Sequence, residues 1–538
     1  MIAWPGQVGN IRQVVPGNAL KREHFDAVLF DMDGVVTDTA AAHAAAWKRL
    51  FDAYLAERAQ REPTDARPFD ANADYRAFVD GKPRYDGVQS FFESRGIELP
   101  WGDPDDGPDQ ETICGLGNRK DGYFNAWLDD NSARVFPGTI AFLKALRSAG
   151  IPMAIFSASR NMHKVLASAG LGDFFDAEVG GLKMAELGLP GKPDPAIMVT
   201  SAGELGVPVD RCVVVEDAIA GVQSGRSAGA AWVIGIDRED YAEALRDNGA
   251  NLVVNDLSEC RVDADGAVAL KTTGSLAPVW EQRDDLATLL KERRLAVLLD
   301  YDGTLTPIVT DYRKAFLPDA MRDTLGRLAE RNAVAVVSGR DLKDVQKLVG
   351  LDAVYYSGSH GFELSGPDDW QHMHEDAADY LPDLDRAEQA LATRLADVPG
   401  HALERKHFSL AVHYRQVDDA RVGEVASAVD EVLAGNTRLV KGLGKKVFEI
   451  KPALPWDKGR AVGVLLDTLG MAGDDTIAVF IGDDITDEAA FRELRKPNVS
   501  IIVVDDDRAT AADYSLTDTD DVREFLDWLS RTAEGRGA

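Results

Sequence analysis

Residues 27–38 read AVLFDMDGVVTD, and residues 296–307 read AVLLDYDGTLTP. Each stretch opens on a continuous apolar run, the pattern of a parallel strand buried on both faces. Each then breaks into Asp-x-Asp-Gly, which puts Asp31 and Asp33, or Asp300 and Asp302, just past the carboxyl end of its strand. Open α/β sheets bind their ligands at that edge. One such tetrapeptide reads equally well as a turn, so its repetition carries more weight than either copy.

Working outward, the same three signals follow each copy in the same order. After the first come IPMAIFSASRN with Ser157, GKPDP with Lys192, and RCVVVEDAIAG with Glu216 and Asp217. After the second come AVAVVSGR with Ser338, WDKGRA with Lys458, and IAVFIGDDITDE with Asp483 and Asp484. Between them lie helical stretches such as LPDAMRDTLGRLAERN, which puts Leu317, Met321, Leu325 and Leu328 on one face. Strands alternating with helices predict right-handed βαβ units in a parallel sheet. Asp31 to Ser157 is 126 residues, whereas Asp300 to Ser338 is 38; serine to lysine is then 35 against 120. From lysine to the final aspartate, both copies give 25. A constant core therefore carries one large insertion per copy, at two different points.

This plan resembles the haloacid dehalogenase (HAD) superfamily, whose members carry a cap at one of those two insertion points. The resemblance implies an α/β fold with two Rossmann-type parallel-sheet cores. The first would carry a helical cap after its first strand, about residues 40–132, and the second an α+β cap after the SGR motif, about 341–453. The expected divisions are a tail at 1–22, a first domain at 23–259, a linker at 260–288 and a second domain at 289–535. The linker stretch has turn residues and no sustained periodicity.

The residue types fit phosphoryl transfer. A phosphate monoester and an attacking carboxylate repel one another, so a divalent cation must lie between them. Asp300 is the candidate nucleophile, and Asp302 the acid that protonates the leaving oxygen and then activates water. Asp300, Asp483 and the backbone carbonyl of Asp302 offer the hard oxygen ligands that magnesium prefers. Ser338 and Lys458 would hold the phosphoryl oxygens. In the first copy Asp31 and Asp33 take the two acid roles. Asp31, Asp33, Glu216 and Asp217 would hold Mg2+, and Ser157, Ala158 and Lys192 the phosphate.

The second half looks like trehalose-6-phosphate phosphatase in LDYDGTLTPIV, VVSGR, YYSGSHGFEL, ERKHFSLAVHYR, GKKVFEIKP, WDKG and GDDITDEAAF. That resemblance puts Ser338, Gly339 and Arg340 at the phosphate and Glu404, Lys406 and Glu449 on the sugar. Arg340, His360, Gly361 and Arg415 would line or close the site. His413 and Tyr414, in the alternating SLAVHY, read as strand packing.

The first half looks like the β-phosphoglucomutase subfamily in FDMDGVVTDTAAAHAAAW, DGKPRYDGV, GNRKDGY, FPGT, SASRN, GKPDP and VEDAIAGVQSGRSAG. The resemblance implies a second phosphate site built from Arg84, Ser159, Arg160 and Asn161, with His43 and Lys120 as polar residues of the cap. The insertion REPTDARPFDANADY departs from compact mutases. Three readings follow: mutase fused to phosphatase, two phosphatases, or one phosphatase with a sugar-phosphate-binding regulatory module.

Composition sets outer limits. A formal net charge of −31 at pH 7 argues against nucleic acid and anionic membrane as partners. It also obliges any phosphate site to supply its own cations. Small sugar phosphates are the expected partners, and oligomeric state is left open. Cys114, Cys212 and Cys260 lack metal-ligand spacing and read as thiols of a reducing cytosol. With no signal peptide or membrane-length apolar run, the expected compartment is the cytoplasm.

Overall fold

The structure is a computed structural model. The structure describes residues 19–534, apart from 62–65, 72, 80–81, 132, 239–240, 292, 310–313, 435, 437, 445, 455 and 495–496. Two compact units meet in the chain between Leu270 and Lys271.

In the first unit the apolar run becomes the strand Ala27–Asp31, buried along its whole length. It sits inside a six-stranded parallel sheet ordered Ala177–Val179, Met153–Phe156, Ala27–Asp31, Cys212–Glu216, Trp232–Ile236, Leu252–Val254. Asp31, Ser157 and Glu216 thus end or follow three adjacent strands, so their side chains gather at one edge. Between the first strand and the rest come three helices, Ala40–Ala59, Arg84–Ser94 and Ile113–Asp130. They enclose an aromatic core of their own that includes Trp47, Phe51, Tyr54, Phe69, Phe91 and Phe92. This is a helical cap.

The second unit repeats the plan around Arg294–Leu299, in an eight-stranded sheet. Five of its strands run parallel to that one: Ala333–Val337, Tyr355–Gly358, Thr476–Gly482, Val499–Val503 and Tyr514–Leu516. The helical expectation over 317–332 is met by Asp319–Ala329, which buries Met321, Leu325 and Leu328. A separate antiparallel sheet forms the cap, ordered Ala402–Arg405, Leu410–His413, Val447–Pro452, Leu439–Gly444. Helices Leu381–Arg394 and Val422–Leu433 cover it, with Leu384, Leu391, Val425 and Val429 in the shared core.

Two boundaries differ from expectation. The cap is shorter than 341–453, because Tyr355–Gly358, Glu363–Ser365 and Gln371–Met373 extend the core sheet. Their hydrogen bonds go to Ala333–Val337 and to one another, which an insertion count does not reveal. The stretch 260–288 is also no free linker. Cys260–Val262 pairs with Val268–Leu270, which pairs on its other side with Ala19–Leu20 in the first unit. From Lys271 onward the chain bonds within the second unit, Lys271 Nζ to the Ala511 carbonyl and Thr273 Oγ1 to that of Asp506. Short strands and 3-10 turns satisfy this backbone without any long periodic pattern.

Candidate active sites

Each unit gathers its acids around one buried lysine. In the second, Lys458 Nζ donates to Asp300 Oδ1 at 2.6 Å and to Asp487 Oδ1 at 2.6 Å. In the first, Lys192 Nζ donates to Asp31 Oδ1 at 2.5 Å and also to Glu216. Oxygens of Asp300, Asp483 and Asp487 lie within 4.8 Å of one another, as do those of Asp31, Glu216 and Asp217. Burial and the neighbouring carboxylates push Asp31 and Asp300 upward, against the opposing pull of their lysines. Both lysines are held above their ordinary value, because two carboxylates outweigh the cost of burial. Three acids against one ammonium leave a negative excess in a low-dielectric setting, an expensive arrangement without a further cation. An all-oxygen donor set fits magnesium rather than zinc or copper.

The Asp-x-Asp-Gly turn brings the outer acid close. Gly34 and Gly303 adopt φ of +83° and +87°. A Cβ there would fall 1.6 Å from Asp217 Oδ2, or 2.2 Å from Asp483 Oδ2. Glycine is thus required twice over, for left-handed backbone and for room.

The second acid of each turn has different company. Asp33 accepts from Ser157 Oγ at 3.1 Å and from Thr39, and His43 Nε2 stands 3.5 Å away. Burial raises this carboxyl, but His43, Thr39 and Ser157 together outweigh burial and hold it below the ordinary value. His43 in turn has Lys120 Nζ at 2.7 Å from Nδ1 and stacks on Phe124. Burial, helped by Arg84, pushes Lys120 down to about 8, although Asp121 and Asp33 oppose it. Asp302 instead is gripped by Arg340, Nε to Oδ2 at 2.6 Å and Nη2 to Oδ1 at 2.7 Å. Arg340, expected at the phosphate, is thus turned onto the candidate acid.

Around the first site one cavity of about 240 Å³ brings together Asp31, Asp33, His43, Arg84, Lys120, Ser157, Ala158, Ser159, Arg160, Asn161, Lys192 and Asp217. At the second, the cap sheet meets the SGR loop: Lys406 Nζ donates to the Gly339 carbonyl and to Glu449 Oε1, each at 2.7 Å. Glu404 Oε2 is 2.7 Å from His413 Nε2. His413, read as strand packing, is therefore a partner of a candidate sugar ligand, while Tyr414 does stack on Phe448. Ser338 is buried and its Oγ accepts from the Arg340 amide at 3.2 Å. Gly361, at φ +99°, packs so closely on Ala461 that a Cβ would lie 2.2 Å from that residue's own. Arg415 Nη1 is tied to the Val309 carbonyl at 3.2 Å. The His360 side chain lies outside the described residues.

Two residues at the sites escaped the sequence reading. Asp487 was signalled by the third acid of GDDITDE, three residues after Asp484, but no spacing in the first copy matches it. Asp121, in GNRKDGY, was masked by its neighbour Lys120. Cys114, Cys212 and Cys260 are free and buried. No helix among the described residues is long and apolar enough to cross a membrane.

Comparison with known proteins divides the chain in the same place. A haloacid dehalogenase-like hydrolase family matches residues 25–229, and the trehalose-phosphatase family matches 298–520. An uncharacterized glycosyl hydrolase of Mycobacterium tuberculosis is 39% identical over 96% of this chain, which spans only 38% of that relative's length. The trehalose-phosphate phosphatase of the same organism is 41% identical over 339 residues, 62% of this chain and 85% of that protein. A solved β-phosphoglucomutase from Clostridium difficile is 27% identical, covering 43% of this chain and 92% of its own, with a TM-score of 0.35. Joined to a first half that is a haloacid dehalogenase-like hydrolase domain, the second half makes this chain a member of the trehalose-phosphatase family.

Proposed function

We propose that the second unit hydrolyses trehalose-6-phosphate to trehalose and phosphate, with Mg2+ as cofactor. The observation that carries this is the cluster Glu404, Lys406, His413 and Glu449, joined to the phosphate loop by the Lys406–Gly339 hydrogen bond. A disaccharide presents hydroxyls that both donate and accept, and carboxylates beside cations answer both. The 41% identical relative bears the corresponding name.

Asp300 attacks phosphorus, the bond from phosphorus to the sugar oxygen breaks, and Asp302 gives its proton to that oxygen. Asp302 then takes a proton from water, whose oxygen attacks the phosphoryl group and frees the Asp300 carboxylate. Lys458 and Ser338 hold the phosphoryl oxygens throughout. Arg340 occupies both oxygens of Asp302 and must release one of them before that carboxyl can carry the proton to the leaving oxygen. Asp300, Asp483, Asp487 and the Asp302 carbonyl would hold the metal in this unit, and Asp31, Glu216, Asp217 and the Asp33 carbonyl in the first. When bound, Mg2+ cancels the repulsion between phosphate and carboxylate.

Turnover of trehalose-6-phosphate and of p-nitrophenyl phosphate by Glu404→Gln and Glu449→Gln proteins tests the sugar assignment. KM for the former should rise at least tenfold while the latter, which has no sugar, is unchanged. Equal losses on both would remove the assignment.

For the first unit, we propose interconversion of β-glucose-1-phosphate and glucose-6-phosphate. The observation favouring it over simple hydrolysis is a single cavity lined by Lys192, Arg84 and Arg160 together. Lys192 is bonded to Asp31, whereas Arg84 is paired with Asp121. Such an enzyme must hold one phosphate while transferring the other, with water excluded by the cap. Full-length Asp300→Asn protein, primed with glucose-1,6-bisphosphate, should form glucose-6-phosphate from the β anomer only. Free phosphate without glucose-6-phosphate would make this unit a phosphatase. The three free, buried cysteines fit a reducing cytoplasm.

A further inference from the structure

The anion-binding end of the first unit's cavity already holds a carboxylate from the chain itself. Asp121 lies midway along the cap helix Ile113–Asp130. Its Oδ2 forms an ion pair with Arg84 Nη1 at 2.8 Å, and its Oδ1 accepts from Asn161 Nδ2 at 2.7 Å. Asn125, one turn further along, adds a contact from its amide at 3.3 Å. Arg84 comes from the cap helix Arg84–Ser94, whereas Asn161 precedes the core helix Met162–Ser168. Both are residues expected to hold a distal phosphate, and Ser159 and Arg160 line the same cavity.

We propose that Asp121 is an internal stand-in for phosphate: it bridges the cap cation Arg84 and the core amide Asn161, and a phosphorylated sugar must displace it. The proposal rests on reading this unit as a sugar-phosphate enzyme with a distal anion subsite. Geometry separates it from an ordinary orienting ion pair. A carboxylate that only aligned the Arg84 guanidinium would need one oxygen behind the fork. This one spreads its two oxygens over an ion pair with Arg84 and a hydrogen bond from Asn161, on different elements, as a phosphate would. Charge points the same way. Arg84 and Arg160 bring two positive charges to this end of the cavity, and Asp121 cancels one of them. A phosphate dianion arriving beside the resident carboxylate meets direct repulsion, so the carboxylate lowers affinity and sets a threshold for entry. It also ties cap to core, so its displacement would be coupled to rearrangement of the cap.

The test is equilibrium binding of glucose-6-phosphate to the full-length protein, by titration calorimetry, for wild type, Asp121→Asn, Asp121→Ser and the double variant Asp121→Asn/Arg84→Ala. Any contribution from the second unit is common to all four. Removing the charge should tighten binding by about tenfold, since the pair is partly solvated and its Coulomb term is reduced accordingly. The serine variant should move the same way, and the double variant should lose the gain. Weaker or unchanged binding in both single variants would overturn the proposal and make Asp121 an aligner of Arg84. A gain that survives loss of Arg84 would overturn it as well. The isomerisation assay on the same proteins separates the two layers. Tighter binding without any glucose-6-phosphate formed from β-glucose-1-phosphate would sustain the role of Asp121 and remove only the mutase reading.

Discussion

In the first unit the buried lysine is met by Glu216, the last residue of its strand, 24 positions after Lys192. In the second it is met by Asp487, 29 positions after Lys458 and beyond the strand Thr476–Gly482. The matching positions are filled the other way round: Gly482 stands where Glu216 would be, and Gly221 where Asp487 would be. Each glycine faces the carboxylate that has moved. A Cβ on Gly221 would fall 1.9 Å from the Glu216 carboxyl carbon, and one on Gly482 would fall 2.4 Å from that of Asp487. Carboxylate and glycine have exchanged places across five residues. What the two units preserve is an acid at the lysine and empty space opposite, whichever residue supplies them. The caps teach the converse. One is helical with an aromatic core, the other an antiparallel sheet, so two unlike caps accompany the same arrangement of acids around a lysine.

The strongest way to break this comparison is to disarm one unit and assay the other. Asp300→Asn should lower trehalose-6-phosphate turnover by at least about 10³-fold, because an amide cannot act as nucleophile, while Asp31→Asn leaves it within about twofold. Loss in both proteins would mean that the units do not act independently. Metal removal comes next. Chelation should take hydrolysis below about one per cent of its starting value, and Mg2+ should restore it, whereas calcium with its looser shell should not. Undiminished phosphate release after exhaustive chelation would rule out a metal-assisted site.

A smaller effect sharpens the exchange itself. Asp487→Gly should cost about 10- to 100-fold in hydrolysis, the scale of losing a supporting carboxylate. Gly482→Glu alone should also be damaging, through its clash with Asp487. The double variant Gly482→Glu/Asp487→Gly, which rebuilds the first unit's arrangement, should recover at least about tenfold over either single change. Additive losses would show that the two positions are not interchangeable.

The smallest effect concerns Lys120, held at about 8 by burial and Arg84, against an ordinary 10.5. Between those values the unfolded chain binds more protons than the folded one, so stability of the first unit should rise as pH goes from about 8 to 10.5. Over the same range the cavity loses a cation, and its affinity for glucose-6-phosphate should fall by roughly threefold. Lys120→Met should flatten both profiles; an unchanged alkaline limb would assign them to another group.

The sequence by itself determined the two parallel-sheet cores, the acids at their strand ends and the lysines that meet them. Those signals are local: an apolar run of five or six residues that stops at an aspartate needs nothing distant to be read. Asp31, Asp300, Asp217 and Asp483 were legible for that reason, and Lys192 and Lys458 through their order and spacing. Two copies at a constant spacing of 25 then separated them from turns and surface charges. The remaining contacts depend on how distant segments pack. Whether Asp487 or a neighbour reaches Lys458 depends on how the chain turns after Gly482. Arg340 could have faced a phosphate or Asp302, His413 a core or Glu404, and Asp121 solvent or Arg84. In each case the partner lies 9 to 40 residues away in the chain, on another element. The same holds for the segment 260–288, where Val268 and Ala269 pair with Leu20 and Ala19, and the Lys271 and Thr273 side chains bond to Ala511 and Asp506, partners roughly 230 to 250 residues distant. Packing over such separations is a property of the folded surface, not of any local pattern.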